Sequence, residues 1–167
     1  MITKETTKEA VLNLASECSK CGSCCKYGSG FILQEEIKRI AEFLNIPEEK
    51  FKENYLEEHL LFNRKVYKFK TKKSKKPYGE CIFLKNNLCQ IHDVKPLNCK
   101  VASCNEFGEE LNEWFIVNYL IDSEDPVAIR AWASRLESKP TIPGGELLDL
   151  VPNPQKLNKI LNYKIMR

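Results

Sequence analysis

Only two histidines, two methionines and seven glycines occur among the 167 residues. No apolar stretch approaches the ~20 residues that a membrane-spanning helix needs. The few glycines form no phosphate cradle of the kind a nucleotide-binding loop requires, and no serine–histidine–acid set suggests itself. The first residues, Met1 to Glu9, are polar and charged where a secretory signal would be apolar. These absences argue against a transporter, a nucleotide hydrolase, a triad hydrolase and a secreted disulfide scaffold. The chain is expected in a reducing cytoplasm, away from membranes. It is not expected to be an independent enzyme.

What is present is an ordinary globular composition, 43% apolar and 29% charged, with a formal net charge of +3. A chain of this length buries a real core without needing crosslinks to fold. Its eight cysteines therefore call for another explanation, and in a reducing compartment that explanation is metal.

The cysteines fall into two groups of four. Cys18, Cys21, Cys24 and Cys25 have the spacing C-x2-C-x2-C-C; Cys81, Cys89, Cys99 and Cys104 have the spacing C-x7-C-x9-C-x4-C. Four is the ligand number of a tetrathiolate zinc site and of a four-cysteine iron–sulfur cluster. A C-x2-C step lets a short loop aim two sulfurs at one metal, and Gly22 suits the turn because glycine tolerates positive φ. The three-sulfur wrap resembles ferredoxin ligation and differs from the C-x3-C-x2-C spacing of radical chemistry on S-adenosylmethionine. All eight cysteines are candidate metal ligands. Cys24 and Cys25 are adjacent, so their side chains are expected to diverge and serve different metals or different corners of one cluster. The two groups are expected to build one shared metal region. In it, Cys18, Cys21 and Cys24 would join Cys99, and Cys25 would point to the other second-group cysteines.

The run Cys18-x2-Cys21-Gly22-x-Cys24-Cys25, followed by Cys81-Ile82-Phe83-Leu84-x4-Cys89-x-Ile91-x3-Lys95-Pro96-x2-Cys99, resembles the YkgJ-like cysteine-cluster family. The segment Phe31-Ile32-Leu33-x-Glu35-Glu36-Ile37 is part of the likeness. The resemblance implies a zinc- or iron-chelating domain over about residues 18 to 104. His92 stands where the family usually has tyrosine, and Lys95 and Lys100 stand where it has arginine. Flagellin lysine methylases are similar in their cysteine motif, which implies a [4Fe-4S] cluster as the favoured cofactor, with zinc as the alternative.

Hydrophobic spacing predicts helices over 4–16, 34–44, Pro47 to Leu56, 109–121, Pro126 to Leu136 and 153–164. It predicts a strand over 64–72 and a hairpin of 80–84 with 88–91 around Asn86-Asn87. The fold class that follows is α+β: a small helix-rich domain with short β-hairpins organised around a cysteine-ligated metal centre. The organisation expected is a metal-binding region over 1–107 and a helical lobe over 108–167, packed as one unit. Trp114 and Trp132 are read as core, and His59 as structural; His92 is a minor candidate ligand.

Residues 64–76 carry eight basic residues in thirteen, with Tyr67 and Phe69 interleaved. That run could track a phosphate backbone while the two rings stack on bases, or it could be a solvated hairpin with its rings in the core. Two roles remain open at this stage. One is an iron–sulfur protein for electron transfer or for maturation of another enzyme, acting with a protein partner. The other is a zinc-scaffolded module contacting nucleic acid or an acidic protein through 64–76. A methyl-group enzyme is a more distant third.

Overall fold

The computed structural model describes residues 1–16 and 20–162. At its centre lies a three-stranded antiparallel sheet of β1 (Phe31–Ile32), β2 (Leu56–Leu61) and β3 (Arg64–Phe69), in the order β1-β3-β2. Side chains alternate across a strand, and here the alternation feeds two separate apolar clusters. Phe31, Leu33 and Val66 face one cluster; Ile32, Leu56 and Phe69 face the other.

The first cluster is covered by helices. They are α1 (Lys8–Leu14), α5 (Leu97–Val101), α6 (Gly108–Phe115), α7 (Pro126–Leu136), α8 (Leu147–Leu150) and α9 (Pro154–Leu161). A π-helical turn, Ile116–Leu120, continues α6 and completes the helical stretch expected over 109–121. Trp132 and Phe115 are fully buried here. Both tryptophans satisfy their indole N–H on backbone carbonyls: Trp114 donates to Thr6 at 2.8 Å and Trp132 to Gly145 at 2.9 Å. That is the behaviour of core residues.

The second cluster lies under α3 (Ile37–Phe43) and α4 (Glu48–Tyr55), where Ile37, Ile40 and Phe51 are fully buried. It extends through Cys81, Phe83 and Ile91 to the cysteine side of the molecule.

Local chemistry accounts for many of the boundaries. Thr7 caps α1 by accepting from the Ala10 N–H, so the helix starts later than the expected residue 4. Asp125 caps α7 by accepting from the Val127 N–H at 2.8 Å, with Pro126 in the first turn as expected. The second hairpin, β4 (Leu84–Lys85) and β5 (Leu88–Cys89), turns on Asn86 and Asn87 at φ 50° and 62°. Those angles suit the type I′ turn that asparagine tolerates. Its strands are shorter than the sequence suggests. The strand expected over 64–72 ends at Phe69, although Thr71 still makes one bridge to Cys81. The expected final helix runs to Leu161, and the remainder of its range from residue 163 lies outside the described residues.

Strand β2 was not expected. Four of its six residues are exposed, so no apolar alternation announces it. Its turn to β3 places Phe62 at φ 47°, an uncommon angle for a bulky side chain. The Phe62 ring packs edge-on against Trp132 at 5.7 Å, which offsets the cost of that backbone.

Candidate metal centre

Four elements converge on one open cavity of about 300 Å³. The first is a single helical turn, α2 (Ser23–Lys26), carrying Cys24 and Cys25. Gly22 opens it at φ 72° and lies against the β4–β5 turn, where a Cβ would come within 3.2 Å of the Asn87 backbone. The first cysteine loop is thereby seated on the second hairpin. Cys81 donates its N–H to the Cys25 carbonyl at 2.8 Å, tying the two cysteine groups together through the backbone. Cys89 lies on β5, paired with Leu84. Cys99 lies on α5, whose Leu97 and Val101 anchor in the helical cluster. On a helix, residue 99 points away from 97 and 101, and Cys99 lines the cavity.

Cys24, Cys25, Cys81, Cys89 and Cys99 thus line one cavity. Cys21 and Cys104 are exposed and do not line it. Cys21 instead shares polar contacts with Ser23, the two side chains 3.2 Å apart. Cys18 lies outside the described residues.

The divergence expected of Cys24 and Cys25 is not what the structure shows: their sulfurs are 3.8 Å apart. Adjacent Cβ atoms diverge, but each Sγ can take any of its staggered χ1 wells, and here the two sulfurs meet. The separation equals the ~3.8 Å expected of two sulfurs each ~2.3 Å from one tetrahedral metal. Among the described residues, however, no three histidine, cysteine, aspartate or glutamate side chains are placed to hold a single metal ion.

The thiols differ in acidity for identifiable reasons. Cys24 is lowered to about 6, chiefly by the hydrogen bond from the Cys25 thiol, with help from the nearby Lys95 charge. Cys25 is pushed up, because it keeps the shared proton and is partly desolvated. Burial pushes Cys81 up to about 11 and Cys99 up to about 12. The Gly30 N–H opposes the shift at Cys99 by donating to its sulfur. Desolvated thiols of this kind release their protons when a cation is bound beside them.

Sequence reasoning missed the residues that hold Cys99 in place. The Glu36 carboxylate accepts from the Leu33 N–H at 3.0 Å and from the Leu97 N–H at 2.7 Å. It therefore joins the segment after β1 to the start of α5. Buried Asn98 accepts from the Phe31 N–H at 2.8 Å. Gly30 completes the fit: a Cβ there would lie 2.7 Å from the Cys99 sulfur and 2.9 Å from the Asn98 Oδ1. Glu36 sits in a helical first turn, where a carboxylate is expected for the dipole alone, so nothing local marks its long-range role.

The remaining candidates fall as follows. His92 lines the cavity. His59 lies half-exposed on β2, 3.8 Å from Glu57. Phe69 is buried and Tyr67 is partly buried against the second cluster, the packing expected of a hairpin with its rings in the core. Two residues apart on β3, the two rings lie on one face of the sheet, toward the second cluster.

A family model for a CxxCxxCC zinc- or iron-chelating domain matches residues 17–117. The chain belongs to that family. The match takes in both cysteine groups, the Glu36 and Asn98 latch and α6. Metal binding is the property the family description carries, and it names two metals without choosing between them. No solved structure matches the chain. No helix among the described residues is long and apolar enough to cross a membrane.

Proposed function

We propose that this chelating domain holds an iron–sulfur cluster, of the [4Fe-4S] type, and serves in electron transfer or as an accessory factor in maturing another cytoplasmic protein. The observation that supports the reading is that five thiols line one cavity of about 300 Å³, while among the described residues no three are grouped to hold a single metal ion. That volume corresponds to roughly ten waters at ~30 Å³ each, far more than one zinc ion fills. Cluster-ligating sulfurs stand over ~6 Å apart around four irons, whereas zinc draws its four into one tetrahedron.

The ligands would come from the five cavity cysteines, with Cys18, Cys21 and Cys104 as the further candidates of the two groups. A bound cluster would supply one-electron chemistry. The chain's own residues would tune it: the Gly30 N–H donates to the Cys99 sulfur, and Lys95 lends positive charge beside Cys24. Both favour the electron-rich state of a thiolate-ligated centre.

Zinc is the second reading, favoured by the 3.8 Å separation of the Cys24 and Cys25 sulfurs. Anaerobic purification with iron, zinc and acid-labile sulfide analysis decides between them. Iron and sulfide in equal amounts, with a broad visible absorption that bleaches on reduction, is the expected result. Colourless protein with stoichiometric zinc selects the second reading. Protein that holds neither metal after anaerobic reconstitution overturns both.

A further inference from the structure

Next to the cysteine cavity, the surface carries features that the metal centre does not use. Tyr27 follows directly on α2, with the residue 67% exposed, and its ring meets that of Tyr78 at 5.3 Å. Tyr78 is itself 41% exposed. It belongs to a loop that springs from the cavity wall. The Lys72 N–H donates to the Glu80 carbonyl at 2.8 Å, and the next residue, Cys81, lines the cavity. The Lys72 ammonium also bonds the carbonyl of Leu84, another lining residue. Leu88, half-exposed, adds an apolar side chain at the cavity itself.

The charge on this face is one-sided. Among the described residues, Lys26, Lys73 and Lys75 make no ion pair, and neither do Lys20 and Lys95 on the cavity wall. Of the nearby acids, Glu80 pairs with Lys72 at 3.3 Å, while Asp93 on the cavity wall stays exposed, 3.8 Å from His92. Exposed lysines are commonplace, but touching exposed tyrosines beside them are not. Such a pair combines an apolar body with a polar tip, the composition of an interface anchor.

From this we infer that the Tyr27–Tyr78 pair and the lysines around it form the docking face for an acidic protein, which is thereby brought up to the cysteine cavity. The inference rests on the metal-centre reading for its purpose, though the face is defined without it. Charge complementarity selects the acidic partner. The ring geometry selects protein over single-stranded nucleic acid. The two rings are tilted by 60°, and the Lys76 ammonium lies 5.5 Å from the Tyr78 centroid. That arrangement suits an apolar side chain wedged beside the pair more than successive bases stacked in parallel. The other rings of the basic segment are turned inward.

The probe is a labelled twelve-residue peptide of glutamates and aspartates around a central phenylalanine. Comparison probes are the same peptide with a central alanine and a twelve-nucleotide oligo-dT. Binding is read by fluorescence anisotropy to the purified protein with the metal it holds. The phenylalanine peptide should bind more tightly than the alanine peptide, and more tightly than the oligonucleotide. Lys73→Glu with Lys75→Glu should weaken it at least ~10-fold. Tyr27→Ser with Tyr78→Ser should erase the preference for phenylalanine while leaving the salt dependence. In the wild-type protein, amide shifts on adding peptide should be confined to residues 20–30 and 72–93. Equal binding of the two peptides, tighter binding of oligo-dT, or shifts centred elsewhere would each overturn the docking face. A protein that takes up no metal yet meets the peptide criteria sinks the metal reading alone.

Discussion

The two faces of the central sheet share the same strands but are held together by different means. Toward Trp132, helices of eight to eleven residues bury Leu111, Trp114, Phe115, Ile129, Trp132, Leu157 and Ile160, while Val127 and Leu161 stay exposed. Toward the cysteines, the elements shrink to the one-turn α2 and a pair of two-residue strands. Helices and hairpins that short are not stable by themselves. There the packing under α3 and α4 is supplemented by a set of thiols around a cavity, the Glu36 and Asn98 hydrogen bonds, and the backbone tie from Cys81 to Cys25. On this comparison one side of the sheet is expected to stand on packing alone and the other to need a ligand.

The largest expected effect tests that contrast. Tetrathiolate zinc contributes an apparent ~10–16 kcal/mol in small peptides, comparable to the ~5–15 kcal/mol stability of a whole domain. Stripping the metal under reducing conditions should therefore release residues 20–30 and 81–105 while α6, α7 and α9 stay folded. Hydrogen exchange followed by mass spectrometry gives the regional readout. Uniform loss of protection would mean that the two faces are one cooperative unit. Unchanged protection after verified removal would mean that the cysteine side needs no metal.

A smaller effect should appear on the helical face only. Glu113 is buried and receives both guanidinium N–H groups of Arg135, one at 2.9 Å, while Arg135 also lies 4.9 Å from the Trp132 ring. Removing one partner of a buried pair leaves an uncompensated charge, at a cost of ~3–5 kcal/mol. Glu113→Ala should lower the urea midpoint accordingly, with the metal content per folded chain unchanged. Replacing Glu113 and Arg135 together with leucine and methionine should recover most of the loss. If the single variant also lost its metal, the separation of the two faces would be refuted.

The helical face was also the more legible one in the sequence, for a physical reason. Asp125-Pro126 and the spacing of Leu111, Trp114 and Phe115 are local signals, and the helices they announce depend on local hydrogen bonds. The Asn86-Asn87 turn was equally readable, since two neighbouring asparagines at positive φ are a property of the dipeptide. The grouping of the cysteines was legible through spacing alone. What escaped was non-local. Strand β2 pairs with β3 through its backbone and offers solvent mostly polar side chains, so its sequence carries no period. Glu36 and Asn98 reach partners 61 and 67 residues away. Whether Cys24 and Cys25 converge depends on rotamers that a spacing argument leaves undetermined.

The smallest expected effect falls on that non-local latch. Asn98 places its side-chain oxygen on the Phe31 N–H, immediately after Gly30, whose own N–H meets the Cys99 sulfur. Asn98→Ala removes the acceptor and leaves a buried backbone donor unsatisfied, at a cost of ~1–3 kcal/mol. Because Leu97 and Val101 still anchor α5 in the helical cluster, the helix should survive, while the approach of Cys99 to Gly30 loosens. Two measurements follow. The denaturant midpoint should fall by an amount within that range. In the metal-loaded protein, alkylation of Cys99 by iodoacetamide, followed by peptide mass spectrometry, should run faster than in the wild type. Alkylation of Cys81, on the other side of the cavity, should keep its rate. Asn98→Asp retains an oxygen for the Phe31 N–H and should restore slow alkylation of Cys99, which a general loss of stability would not explain. Equal acceleration at Cys81 and Cys99 in the alanine variant would show that Asn98 supports the whole cysteine side and does not hold this one ligand against its partner strand.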